Sequence, residues 1–169
     1  MPASRKKVIV RKLSQEWLSG YLPSLFPIEE ESIGLLDLDG KITSVLLEEV
    51  KWICFVREFS SPSLNDPEHL RMKAFLRRPR NEGLWLRIRL KDNDCLEGLA
   101  QNDATLLDRH GLYLAPPDSR SNTQRLFIPR LAVKELEILS VIHVKGPRKG
   151  ADDTQDLPAA GLRQPRLFE

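Results

Sequence analysis

Cysteine, histidine and long apolar runs are all scarce in this chain. Its two cysteines, Cys54 and Cys95, form no spaced pair, and His69, His110 and His143 stand far apart. No metal site can be assembled from such spacing, and no redox or disulfide motif is present. Both cysteines lie in apolar strand-like runs, where buried reduced thiols are the expectation. No segment approaches the roughly 18 apolar residues of a membrane span, so no membrane association is expected. The start, MPASRKKVIV, carries positive charge but passes straight into an alternating pattern. It has no signal-peptide core and no small-residue cleavage site, so a cytoplasmic location is expected. An excess of one charge is lacking too. Lys and Arg number 26 against 24 Asp and Glu, a net charge of +2, whereas nucleic-acid binders usually carry a strong basic excess.

Catalytic signatures are equally absent. There is no Gly-x-Ser-x-Gly, P-loop, dinucleotide fingerprint or His-Glu-x-x-His, so no catalytic residue, metal ligand or cofactor can be nominated, and a non-enzymatic protein is expected. Asp37 and Asp39 in LLDLDG, with Glu48 at the twelfth position, resemble half a calcium loop. The intervening KITSVLL is a strand, so these carboxylates are expected in a charged hairpin turn. Asp108 and His110 in LLDRHG are expected in a solvated loop.

What the chain does have is a pattern used twice. VIVRKLSQEWLSGYL (8–22) and LRIRLKDNDCLEGLA (86–100) align on Gly20 and Gly98, an offset of 78. Each leads through a polar turn to a strand carrying glycine. LWLRIRL alternates strictly, with Leu84, Leu86, Ile88 and Leu90 on one face. SIGLLDL and KITSVLL flank Asp39-Gly40, a strong hairpin signal. VKWICFVREF and VKELEILSVI close the two copies, where the offset from Val50 to Val133 is 83. The apolar run after Val50 marks a central strand. Loops absorb insertions, so the slip from 78 to 83 fits a duplicated unit. The expected fold is all-β: two tandem five-stranded small barrels over 1–60 and 84–145, joined by a basic linker over 61–83 and followed by a disordered tail over 146–169. Gly20 and Gly98 are expected at barrel corners, where a missing side chain lets the strand bend and another backbone approach. PEHLRMKAFLRR offers a short linker helix, with Asp66 as its cap and Pro67 in its first turn.

LRIRLKDNDCLEGLAQND resembles the opening of an Sm-like or SH3-like small barrel. SNTQRLF (121–127) is similar to a stretch found in bacterial proteins of unknown function that carry such barrels in tandem. RNA-binding Sm-like barrels present Asn and basic loop residues. The corresponding places here hold Asn102-Asp103 and Arg109-His110 in the second copy, and Leu25-Phe26-Pro27 with Glu29 to Glu31 in the first. LRRPRNEG is similar in kind to the arginine motif of the cyclic-dinucleotide receptors called PilZ domains, although Arg77 and Arg80 stand three apart rather than four.

Charge is concentrated only in the linker, where Arg71, Lys73, Arg77, Arg78 and Arg80 form the candidate binding cluster. The leading expectation is an adaptor or regulatory module whose partner is another protein. The alternative is weak contact between this cluster and nucleic acid or a nucleotide. The closing PRLFE of the tail is a candidate docking peptide.

Overall fold

A computed structural model describes residues 4–23, 26, 28–29, 31–59, 68, 70–118 and 120–144. The tail and its PRLFE end lie outside them, as do Asp66 and Pro67. The protein is all-β. The first half contributes β1 (Arg5–Lys12), β2 (Trp17–Pro23), β3 (Ser32–Asp37), β4 (Ile42–Leu46) and β5 (Val50–Val56). The second contributes β6 (Gly83–Leu90), β7 (Cys95–Ala100), β8 (Gly111–Leu114), β9 (Thr123–Pro129) and β10 (Val133–Ile142). No helix of the described residues is long and apolar enough to cross a membrane.

The hairpins follow from local chemistry. At the first, Gln15 N donates to Lys12 O and Lys12 N to Glu16 O, with Gln15 at φ 73°. The equivalent turn of the second half, Lys91–Asn93, repeats this: Asn93 N donates to Leu90 O and Leu90 N to Asp94 O, with Asn93 at φ 66°. At the third, Gly40 takes φ 83° while Asp37 Oδ1 accepts from the backbone N of Asp39 and Lys41. These are three-residue loops with one left-handed residue each. They differ from the two-residue turn expected at Asp39-Gly40. The third loop fully engages one oxygen of Asp37 in local hydrogen bonds.

Strand pairing repeats as well. β1 pairs β2 with Val8 opposite Gly20, and β6 pairs β7 with Leu86 opposite Gly98. β1 pairs β5 through Val8–Phe55, Val10–Ile53 and, past a bulge, Lys12–Val50. β6 pairs β10 through Leu86–Ile138, Ile88–Leu136 and Leu90–Val133. The offsets of 78 and 83 read from the sequence hold in every one of these pairs. A short 3-10 turn precedes β5 at Leu47–Glu49 and β10 at Arg130–Ala132.

The two sets of five strands do not close into separate barrels. They form a seven-stranded sheet, β4-β3-β2-β1-β5-β9-β8, and a three-stranded sheet, β10-β6-β7. The reason lies in β9. Its neighbours are β8 on one side and β5 of the first half on the other, with Ile53 opposite Phe127 and Phe55 opposite Arg125. The two sheets meet again where Leu99 and Ala115 exchange backbone hydrogen bonds of 3.0 and 2.9 Å.

Because β5 is flanked on both faces, all seven of its residues are buried. Ile53 and Phe55 face one core, with Val8, Val10, Leu22, Ile33 and Leu35. Trp52, Cys54 and Val56 face the other, with Leu86, Ile88, Leu90, Leu112 and Ile128. Phe127, from the second half, lies in the first core against the rings of Phe26 and Tyr113, at centroid distances of 5.2 and 5.0 Å. Cys54 is buried as expected, but Cys95 is exposed. It sits opposite Arg89, on the outward face of β6, so the alternation carries its thiol outward.

Gly20 and Gly98 are places of close approach. A Cβ on Gly20 would lie 2.5 Å from Leu36 O, and one on Gly98 would lie 3.0 Å from the Leu114 side chain. The first contact is with backbone and cannot yield, so Gly20 is the stricter position.

Candidate functional site

Between β5 and β6, Glu68 and the described residues 70–82 lie at the joint between the halves and are held by three anchors. Glu68 is buried and receives Arg11 Nε at 3.0 Å, Arg11 Nη2 at 2.6 Å and Trp52 Nε1 at 3.3 Å, while its backbone O accepts from Thr123 Oγ1 at 2.7 Å. Lys73 O accepts from the backbone N of Glu97 at 2.6 Å. Glu97 is also buried, and its carboxylate accepts from Phe75 N, Trp85 Nε1 and Arg87, at 3.0 to 3.3 Å. The Phe75 ring stands edge-on to Trp85 at 5.9 Å. Residues 70–82 therefore run as an irregular strap, and the short helix expected there does not form among its described residues. The sheet's side chains take up the groups that a helix would have had to satisfy itself.

This strap divides the basic cluster. Lys73 Nζ lies 2.6 Å from Asp94, which Lys51 also reaches at 2.8 Å, and Asp92 holds Lys51 at 2.6 Å. Partial burial raises the Asp94 pKa, but the hydrogen bonds from Lys51 and Lys73 outweigh it and leave the carboxyl below its ordinary value. A depressed carboxyl stabilises the folded chain above its unfolded pKa, near 4, and loses that contribution as pH falls through the folded value. The melting-temperature gap between wild type and Asp94→Asn is thus expected to be full at neutral pH and to close below about pH 4. A gap that stays constant on acidification would show that the charge of Asp94 is not what matters.

Arg71 is exposed and lies outside the lining of the cleft that the remaining arginines of the cluster border. Arg77, Arg78 and Arg80 ring this open cleft, about 690 Å³ in volume, between the strap and the β7–β8 junction. Arg57, just past β5, Asn81, on the strap, and Gln124, on β9, complete the polar rim. The floor is Met72, Phe75, Leu99, Pro116 and Pro117. No carboxylate is among the described lining residues, and none pairs with Arg77, Arg78 or Arg80 among the described residues. Several other bases are engaged: Lys7 with Glu58, Lys12 with Glu49, Arg87 with Glu97 and Glu137. Arg57 and the proline pair were not nominated from sequence. Arg57 follows a strand whose partner lies in the other half, and Pro116-Pro117 read as a strand stop.

The SNTQRLF stretch proves to be the fastening between the halves. Ser121 Oγ donates to Asp118 O. Asn122 Oδ1 accepts from Glu58 N and its Nδ2 donates to Glu58 O. Arg125 lies over the rings of Phe55 and Tyr113, 4.6 and 4.5 Å from their centroids. The matching family model runs over residues 4–140, almost the whole of this two-sheet body. The chain belongs to DUF6982, a family of unknown function. Its extent takes in the strap, the cleft and the fastening together, so the cleft lies inside the DUF6982 unit. No curated protein and no solved structure matches the chain.

The other loop residues have local roles. Asp108 Oδ1 accepts from His110 N at 2.8 Å and lies 3.3 Å from His110 Nδ1. Asp103 Oδ1 accepts from Thr105 N at the start of a 3-10 turn. Among the described residues no group of three His, Cys, Asp or Glu is placed to hold a metal.

Proposed function

We propose that this DUF6982 chain is a non-enzymatic binding module made of one Sm-like or SH3-like unit used twice, and that it holds an acidic, partly apolar segment of a partner protein in the arginine-rimmed cleft. The observation that carries the reading is the set Arg77, Arg78 and Arg80, unpaired among the described residues, above an apolar floor. Guanidinium forks take carboxylates in two parallel hydrogen bonds, while aliphatic and proline surface takes the side chains between them. The floor argues for a peptide over a nucleic acid. Its one aromatic ring, Phe75, is half-buried and turned edge-on to Trp85 rather than offered as a stacking platform. The near-neutral charge of the whole chain gives a polyanion little else to hold.

The test is fluorescence anisotropy with a labelled peptide of alternating Glu and Leu, set beside a labelled oligonucleotide, over a salt series. The peptide is expected to bind at about 150 mM salt, and Arg77→Ala/Arg78→Ala/Arg80→Ala to weaken it at least tenfold, near 1.4 kcal/mol. Tighter binding of the oligonucleotide, with a salt slope reduced in the triple variant, would replace the reading with nucleic-acid binding.

A further inference from the structure

The internal fastening leaves two strand edges over, and they match each other. β5 and β10 hold equivalent places in their halves, as do β4 and β9, since the offset of 83 relates both pairs and the 3-10 turns between them. β5 is joined to β9, but the outer edges of β10 and β4 have no neighbouring strand among the described residues. Edges of this kind are normally blunted by charge, proline or a bulge. β4, ITSVL, has none of these devices.

The core-side face of β10 is uncovered as well. Leu136 and Ile138 lie opposite Ile88 and Leu86, which are fully buried, yet they are 37% and 57% exposed. Val141, opposite Leu84, is 40% exposed. Residues opposite one another in an antiparallel pair share a face. This stripe therefore points toward the core layer and overhangs its rim. On β4 the matching exposure is at Ile42, 71%, and Leu46, 44%.

We infer that these edges join two copies of the chain head to tail, β10 of one against β4 of the next, in the register already used inside the molecule. Carrying Ile53–Phe127 and Phe55–Arg125 across by the same offset sets Leu136 opposite Ser44 and Ile138 opposite Ile42. The two most exposed apolar side chains of the strands then face each other. The contact is heterologous, so each added copy presents a fresh edge, and assembly proceeds to a ring or a filament as the rotation closes or not. On its other face β10 carries Glu135 and Glu137 where β5 carries Trp52 and Cys54. The joint between chains is accordingly weaker than the joint within one, and it exchanges with concentration.

Sedimentation velocity and light scattering on the full chain test this. At about 100 μM and moderate salt the wild type is expected at twice its 19.4 kDa mass or more, falling toward the monomer on dilution. Ile42→Lys and Ile138→Lys, both at exposed positions, are each expected to be monomeric with unchanged circular dichroism. Mixed in equal amounts they are expected to form a 1:1 dimer, because each retains the edge that the other has lost. A second pair reads geometry directly. Ile42→Cys and Ile138→Cys, each with Cys95→Ser, are expected to give the mixed interchain disulfide on oxidation. A wild type monomeric throughout, lysine variants that still assemble, a mixture that stays monomeric, or a disulfide found only between two Ile138→Cys chains would each overturn the inference. None of these results depends on the cleft.

Discussion

Glu68→Ala is expected to remove about 3–5 kcal/mol of stability, the range for breaking one partner of a buried ion pair. The alanine would take the Glu68 carboxylate away from the enclosed Arg11 guanidinium, which also donates to the Gln15 carbonyl at 2.9 Å, and away from Trp52 Nε1. For a chain of ordinary stability, about 5–15 kcal/mol, this is a large fraction of the whole. The measurement is the urea midpoint, with the slope checked for constancy. The sign of the pair itself is a separate matter, since replacing both charges with apolar groups of similar size is often neutral. Arg11→Met/Glu68→Leu is therefore expected to recover most of the loss. If Glu68→Ala shifts stability by less than about 1 kcal/mol, the strap is not anchored by this pair.

Phe127→Ala is expected to do comparable damage, about 3–5 kcal/mol, by emptying a ring-sized space in the first core. Its use lies in which half responds. Phe127 belongs to the second half by sequence and to the first by packing, against Phe26 and Tyr113. Both halves are expected to melt together at a lower temperature, with fluorescence and circular dichroism giving one transition. Two separated transitions, with the first half unaffected, would mean that the halves fold independently and that the β5–β9 pairing adds little.

Much of the fold could be read from residues. The alternation of Leu84, Leu86, Ile88 and Leu90, the polar turns and the spacing of Gly20 and Gly98 pointed to ten strands in their observed order, because each signal is local. The joining of the halves was not read. It rests on β5 and β9, in which VKWICFV and RLFIP carry apolar residues on both faces. That run was legible as central for β5, yet nothing in it says which strand sits alongside. The same limit applied to the cleft. Arg77, Arg78 and Arg80 were visible as a charge cluster, whereas their separation from Lys73 depends on Asp94, and the strap's course on the distant Arg11 that holds Glu68. Such partners are fixed by the assembled sheets rather than by neighbours along the chain.

The sharing of β5 between two cores also sets a timetable for synthesis. When Val56 leaves the ribosome, the first five strands can pair, but of the buried residues that surround Trp52, Cys54 and Val56 only Ile9 has yet been made. Most of their cover begins with Leu84 to Leu90, and the strand that closes the β5 edge arrives only with Leu126 and Ile128, roughly seventy residues later, a delay of several seconds at about 5–20 residues per second. Throughout that interval the nascent chain shows an apolar strand with an open edge, the sort of surface that chaperones recognise and that two nascent chains on one message can exchange. The finished protein buries every residue of this strand, and its birth leaves it bare.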